Sequence, residues 1–171
     1  MRSEELTLIS RQPTIRRGNL ADLNALEPLW KALHDHHATV LPELGAAAPR
    51  PAADSWAIRR EKYKRWLDDP ATLLLRAEES DVPIGYAFVT VGPAYACWDT
   101  GAVAELQTLS VLPEWRDAGI GTRLIDAVWA ELEKRNVADL AITTVATNLD
   151  SHRFYERHGF KQAFVVYHGH R

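Results

Sequence analysis

After a strand-like run that ends at Val111, and just before a helix-like run, the chain reads Arg116-Asp117-Ala118-Gly119-Ile120-Gly121-Thr122. Glycines let the backbone pass close to a ligand, and the free N–H groups at a helix start favour phosphate oxygens, so this stretch can cradle an anion. It also reads as a strand-to-helix turn whose glycines only relieve crowding. No Lys-Ser or Lys-Thr follows, as a P-loop requires, and the spacing lacks the full Gly-x-Gly-x-x-Gly of a dinucleotide site. A phosphate ligand of another kind is left. Upstream, Glu105 lies between apolar Ala104 and Leu106 and shares a strand face with Gln107 by the two-residue period. Downstream, Tyr155 offers a phenol, a neutral donor at working pH. His34, His36 and His37 cluster in one dimension only: His36 and His37 point about 100° apart on a helix, and no clear carboxylate completes a zinc site. The single cysteine, Cys97, has no histidine at a known catalytic spacing, so direct transfer is expected over a thiol-linked route.

These residues need elements to hold them. Pro13 to Arg16, ended by Gly18, predicts a first strand, and Asp22 a cap for a helix to about His37. Leu23, Leu26, Trp30, Leu33 and His37 share a face of that helix. Pro28 lies inside it and predicts a kink or a break. Residues 38–54, with Pro42, Gly45, Pro49 and Pro51, predict a loop, and Asp54 or Ser55 starts a second helix that ends at Asp69-Pro70. Strands follow at Thr72 to Ala77, Ile84 to Val91 and Ala102 to Val111, expected to pair as an antiparallel meander. A helix is predicted over Gly119 to Arg135, a strand over Leu140 to Val145, a short helix over Asp150 to His158, and a last strand or strand pair from Gly159 to Tyr167. This order predicts an α/β or α+β domain with a sheet of mixed direction.

The 171 residues fit one domain, 1–171, able to bury roughly 70% of its surface without metal or disulfide. Twenty Lys plus Arg against 23 Asp plus Glu give a net charge of −3, so no global positive field draws the chain to nucleic acid or anionic lipid. Acidic residues interrupt the N-terminus where a signal peptide needs its apolar run, and no stretch approaches 18 uncharged apolar residues. A soluble protein of the reducing cytoplasm is expected, with no nucleic-acid or membrane partner, as a monomer or a homodimer.

Arg116 to Gly121 fits the pattern Gln/Arg-x-x-Gly-x-Gly/Ala. Asn148-Leu149-Asp150-Ser151, followed by Phe154-Tyr155-Glu156-Arg157-His158-Gly159-Phe160, is similar to Asn-x-x-Ala followed by Phe-Tyr-x-x-x-Gly-Phe, with Ser151 a small-for-small change. On these two motifs, in this order and with a strand between them, the chain resembles the GNAT superfamily of N-acetyltransferases over roughly residues 13–168. The resemblance implies a mostly antiparallel sheet splayed between its fourth and fifth strands, flanked by helices, with acetyl-CoA in the gap. It further implies that the pantetheine arm meets the backbone of Leu109, Ser110 and Val111. The pyrophosphate would sit on the N–H groups from Arg116 through Asp117, Ala118, Gly119, Ile120 and Gly121 to Thr122, with Asn148 touching the arm from the other side. Tyr155 matches the family's general acid at the sulfur. Glu105, eleven residues before Arg116, resembles the general-base glutamate of the histone-acetylating branch.

Transfer from a thioester to an amine needs a neutral amine, a polarised carbonyl and a proton for the thiolate. The expected function is therefore acetyl-CoA-dependent acetylation of a primary amine on a small molecule or peptide, by direct attack. The alternative is a non-catalytic acyl-CoA-binding regulatory module. In the resembled fold the first helices line the acceptor cleft, so His37 or Trp30 is read as an acceptor contact, with packing or solvent exposure as the leading alternative. Trp56, Tyr63, Trp66, Tyr95 and Trp98 are read as core, acceptor pocket or subunit contact. Arg153 and Arg157 are read as partners of the nucleotide 3'-phosphate or as a solvated face.

Overall fold

A computed structural model describes residues 13–41 and 48–168. Strand β1 (Thr14–Arg17) leads into a capping box in which the Ala21 N–H donates to Asn19 and the Asn19 N–H donates to Asp22. Asp22 is thus the reciprocal acid of the box, and Asn19 is the cap. A 3₁₀ stretch, Leu20–Leu26, follows and gives way to helix α1 (Glu27–Val40). Pro28 sits in the first turn of α1, where its missing N–H has no helical partner to lose, so the predicted interruption falls as a break between two helical segments. The following loop is shorter than expected, because α1 runs on to Val40 and α2 (Ala52–Leu67) starts directly after Pro51. Residues 42–47 of that loop, Pro42 and Gly45 included, lie outside the described residues. Ser55 caps nothing; it accepts a hydrogen bond from the Trp30 indole at 3.1 Å.

Strands β2 (Leu73–Glu79), β3 (Val82–Gly92) and β4 (Val103–Val111) form the expected meander, and β5 (Asp139–Ile142) lies parallel to β4 after helix α3 (Ile120–Glu133). Apolar faces on both sides of the sheet make two cores. One packs Leu75, Ala87, Val89, Ala104 and Leu106 under Leu124, Val128 and Leu132 of α3. The other packs Leu74, Tyr86 and Phe88 against Leu26, Leu29, Trp56 and Tyr63, with the Tyr63 ring stacked on Phe88 at 4.0 Å. Trp56 and Tyr63 are therefore core residues.

Two features of register position the site. In β4, Leu106 opposes Val89 and Thr108 opposes Phe88, so Gln107 is a β-bulge without a cross-strand partner. Pairing of β4 with β5 covers only Val103 to Leu106 against Asp139 to Ile142. Beyond Leu106 the two strands part. β5 is accordingly shorter than the predicted Leu140 to Val145, and Thr143 to Val145 leave the sheet. Helix α4 (Leu149–Arg157) follows the gap.

The predicted final strand is absent. Residues 160–168 have no regular secondary structure, and Phe164, Val165, Val166 and Tyr167 are 61–92% exposed. Strand propensity is a preference for a pleated, half-buried surface. The tail instead makes ring contacts, Phe160 with Trp129 and Phe164 with Tyr95 and Trp98.

Candidate active site

The parting of β4 and β5 opens a cleft of about 840 Å³, within the range of small-molecule sites. One wall is the second half of β4, Gln107 to Val111. Their side chains are committed elsewhere: Ser110 donates to the Leu29 carbonyl at 2.9 Å, and Leu109 and Val111 pack toward α3. What β4 turns to the gap past Leu106 is backbone polar groups with no strand opposite.

At the floor, Arg116, Asp117 and Gly119 to Thr122 line the cleft. Asp117 and Gly119 hold left-handed backbone, with φ of 61° and 75°. That sharp reversal aims the start of α3 inward. No side chain caps this helix, so its first N–H groups, which have no intrahelical acceptors, are open to an anion. Gly121 has a second reason to be small, since a Cβ there would meet the Phe154 ring at 3.2 Å. Of the predicted cradle, Ala118 alone does not reach the cleft; its side chain is exposed.

The opposite wall comes from Thr143 to Val145 and α4. Buried Asn148 caps α4 by accepting from the Ser151 N–H at 3.3 Å. Tyr155 lines the same wall, and its hydroxyl bonds to no other described residue. Burial pushes its pKa up to about 12, so the phenol is protonated across the working range. Arg153 and Arg157 border the cleft as well, Arg153 in an ion pair with Asp150 at 2.5 Å.

The roof is the C-terminal half of α1: Leu33, His36 and His37. His37 lines the cleft. Burial, and after it the neighbouring His36, His34 and Arg59, hold its pKa below the ordinary histidine value. Trp30 is not a cleft residue; it is 7% exposed and packed in the α1–α2 core. Glu105 is exposed and lies outside the cleft lining, paired across to Thr90 and Ala141. Gln107, two residues on, does line the cleft and donates to the Thr90 hydroxyl at 2.9 Å. Sequence reasoning missed His36 and Thr143 to Val145. The first was hidden by its neighbour, and the second appeared to be strand.

A sheet that parts over an uncapped helix start, with a half-buried phenol on the facing wall, makes a cleft suited to an anion with a proton donor beside it. Residues 30–160 match the Acetyltransferase (GNAT) family, and the chain belongs to it. An aminoalkylphosphonate N-acetyltransferase of Salmonella typhimurium is 44% identical over 64 residues, 36% of this chain and 40% of that protein. A mycothiol acetyltransferase of Thermobispora bispora is 30% identical over 129 residues, 74% of this chain and 43% of that protein. The chain thus spans less than half the length of either relative. Among solved structures, an aminoglycoside N-acetyltransferase in complex with CoA superposes with a TM-score of 0.68 at 22% identity, covering 96% of this chain and 99% of that one. That likeness is one of fold. Among the described residues no helix is long and apolar enough to cross a membrane.

Proposed function

We propose that residues 1–171 form one N-acetyltransferase domain that moves an acetyl group from acetyl-CoA to a primary amine of a small molecule or peptide. The observation that carries this is the convergence, on one cleft, of the open N–H groups of α3, the half of β4 that β5 leaves uncovered and the unbonded hydroxyl of Tyr155. The two relatives that share sequence with the chain are named as an aminoalkylphosphonate N-acetyltransferase and a mycothiol acetyltransferase, which agrees with it.

These residues fit the donor. The N–H groups at Gly119 to Thr122 suit a diphosphate, the backbone of Leu109 to Val111 suits an amide-bearing arm, and Arg153 and Arg157 suit a further phosphate. When bound, acetyl-CoA supplies the acetyl group as an activated thioester. Tyr155 faces the sulfur end and hydrogen-bonds the charge that develops there as the C–S bond breaks. Full transfer of its proton, from a pKa of about 12 to a thiolate near 8.5, is uphill by about 5 kcal/mol, so Tyr155 serves as donor and solvent supplies the thiol's final proton. Glu105, outside the cleft, acts through a water positioned by Gln107 and takes the proton the amine sheds as the N–C bond forms.

Tyr155→Phe removes the hydroxyl alone. Acetyl-CoA affinity should stay within about twofold, while single-turnover transfer falls by about 10², the low end for a proton-handling group. A wild-type transfer rate in Y155F would overturn the role. No thiol release with any amine tried, despite tight CoA binding, would support the regulatory-module alternative.

A further inference from the structure

Beside the cleft, the seam between α1 and α2 gathers nitrogen groups that the acetyl donor does not use. His36 and His37 form part of the roof. Arg59 of α2 lies over the Trp30 ring, 4.5 Å from its centroid, and 5.6 Å from the centroid of Tyr63. Trp30, His34 and His37 recur at steps of four and three and so share one stripe of α1, the stripe on which Arg59 rests at Trp30.

Acid is scarce here among the described residues. Among the described residues the guanidinium of Arg59 has neither an ion pair nor a hydrogen bond, whereas its neighbour Arg60 engages Asn24 and Glu61. Glu61 is also held by Lys64. The buried Nδ1 of His34 has no hydrogen-bond partner; the carboxylate of Asp35 stands 3.6 Å from it, outward on an exposed side chain. Glu105, on β4, is exposed and lies outside the cleft lining. The depressed pKa of His37, due after burial to His36, His34 and Arg59, reflects the same local excess of positive potential.

We propose that this cluster selects the acceptor: an amine that also carries an oxyacid group, carboxylate or phosphonate, bound through Arg59, His36 and His37 with its amine directed at the bulge of β4. The assignment rests on the acetyltransferase reading above. A guanidinium matches such oxyanions with two parallel N–H donors, and the ring N–H groups of His36 and His37 add further donors. The positive surroundings disfavour an ammonium ion, which lowers the pKa of the attacking amine and supplies more of its neutral form. A polycationic acceptor meets repulsion at the same place.

The test is calorimetric titration of the full chain, saturated with CoA, by aminopropylphosphonate, aminobutyrate, butylamine and kanamycin. At least one acid-bearing probe should bind at least about tenfold more tightly than butylamine, and the phosphonate and carboxylate arms tell which oxyacid is preferred. Arg59→Lys should keep most of that gap, and Arg59→Gln should shrink it to about twofold, both with unchanged CoA affinity. If R59Q does not fold, His37→Asn carries the same comparison. The inference is overturned if butylamine matches both acids, if the gap survives in folded R59Q, if kanamycin binds tightest, or if no probe binds. Failure of the acetyltransferase reading looks different: the binding preference persists, but no probe releases thiol from acetyl-CoA.

Discussion

Glu105 and Tyr155 occupy opposite environments. Tyr155 is dry enough to be held protonated, while Glu105 stands in solvent beside the cleft. Its use as a base therefore depends on the bound amine having a lowered pKa and on a water to bridge the distance. Glu105→Gln should depress kcat/KM most at low pH, where free amine is scarce, and converge with wild type at high pH, where the substrate arrives neutral. The pH profiles of both proteins on one amine decide it. Parallel profiles would remove Glu105 and leave a water held by Gln107. Gly119, Gly121, Asn148 and Tyr155 were legible in the sequence because each serves a local geometry: a left-handed turn, a contact with Phe154, a helix cap, an aromatic two turns into a short helix. The exposure of Glu105 was not legible, since apolar neighbours on a strand report the other face. His36 was also hidden, because the turn of α1 that faces the cleft is fixed only by where β4 and β5 part.

Elements make the site by what they fail to pair. The start of α3 is aimed by Gly119 at φ 75°, a conformation that costs a non-glycine residue roughly 1–2 kcal/mol. A Cβ there would touch no protein atom, so its reach falls into the space offered to the donor. Gly119→Val should raise the acetyl-CoA dissociation constant at least about tenfold, whereas Gly119→Asn, which tolerates the left-handed region, serves as the folded control with a smaller loss. Unchanged calorimetric affinity in folded G119V would displace the cradle. Helix and strand order was readable because apolar spacing reports which face is buried. The tail from Gly159 was misread for the converse reason: Phe164 to Tyr167 have strand composition, but a ladder needs an edge in register, and composition does not supply one.

At the scale of the whole molecule, the sheet and the layer above it are tied by charge. Arg76 of β2 pairs with Asp22, ahead of α1, and with Glu78, while Arg16 of β1 reaches both acids at 2.8–2.9 Å. Arg76 and Glu78 are 4% and 5% exposed, so removing one partner strands a buried charge. Arg76→Met should cost about 3 kcal/mol at pH 7, the low end for a broken buried pair because Arg16 remains. The Arg16 hydrogen bond, chiefly, holds the Asp22 pKa below its ordinary value. A depressed carboxyl contributes stability above its unfolded pKa of about 3.9 and loses it as pH falls through the folded value. The gap between wild type and R76M in denaturant titrations should therefore narrow at pH 3; a gap equal at both pH values would mean that Arg76 acts by packing alone.

The bulge at Gln107 acts as a frameshift in three dimensions. Before it, Ala104 and Leu106 face α3; after it, Leu109 and Val111 do, while Thr108 and Ser110 turn to Tyr63 and Leu29. One extra residue lets β4 serve as scaffold in its first half and as binding wall in its second, each with its own parity. Deleting Gln107 would restore strict alternation and leave Ala104, Leu106, Leu109 and Val111 all facing α3, while removing the extra residue that bends the strand where the cleft begins. A single-codon deletion there would spare the apolar layer under α3 and fall on the cleft, whereas a substitution keeps the extra residue and with it the bend.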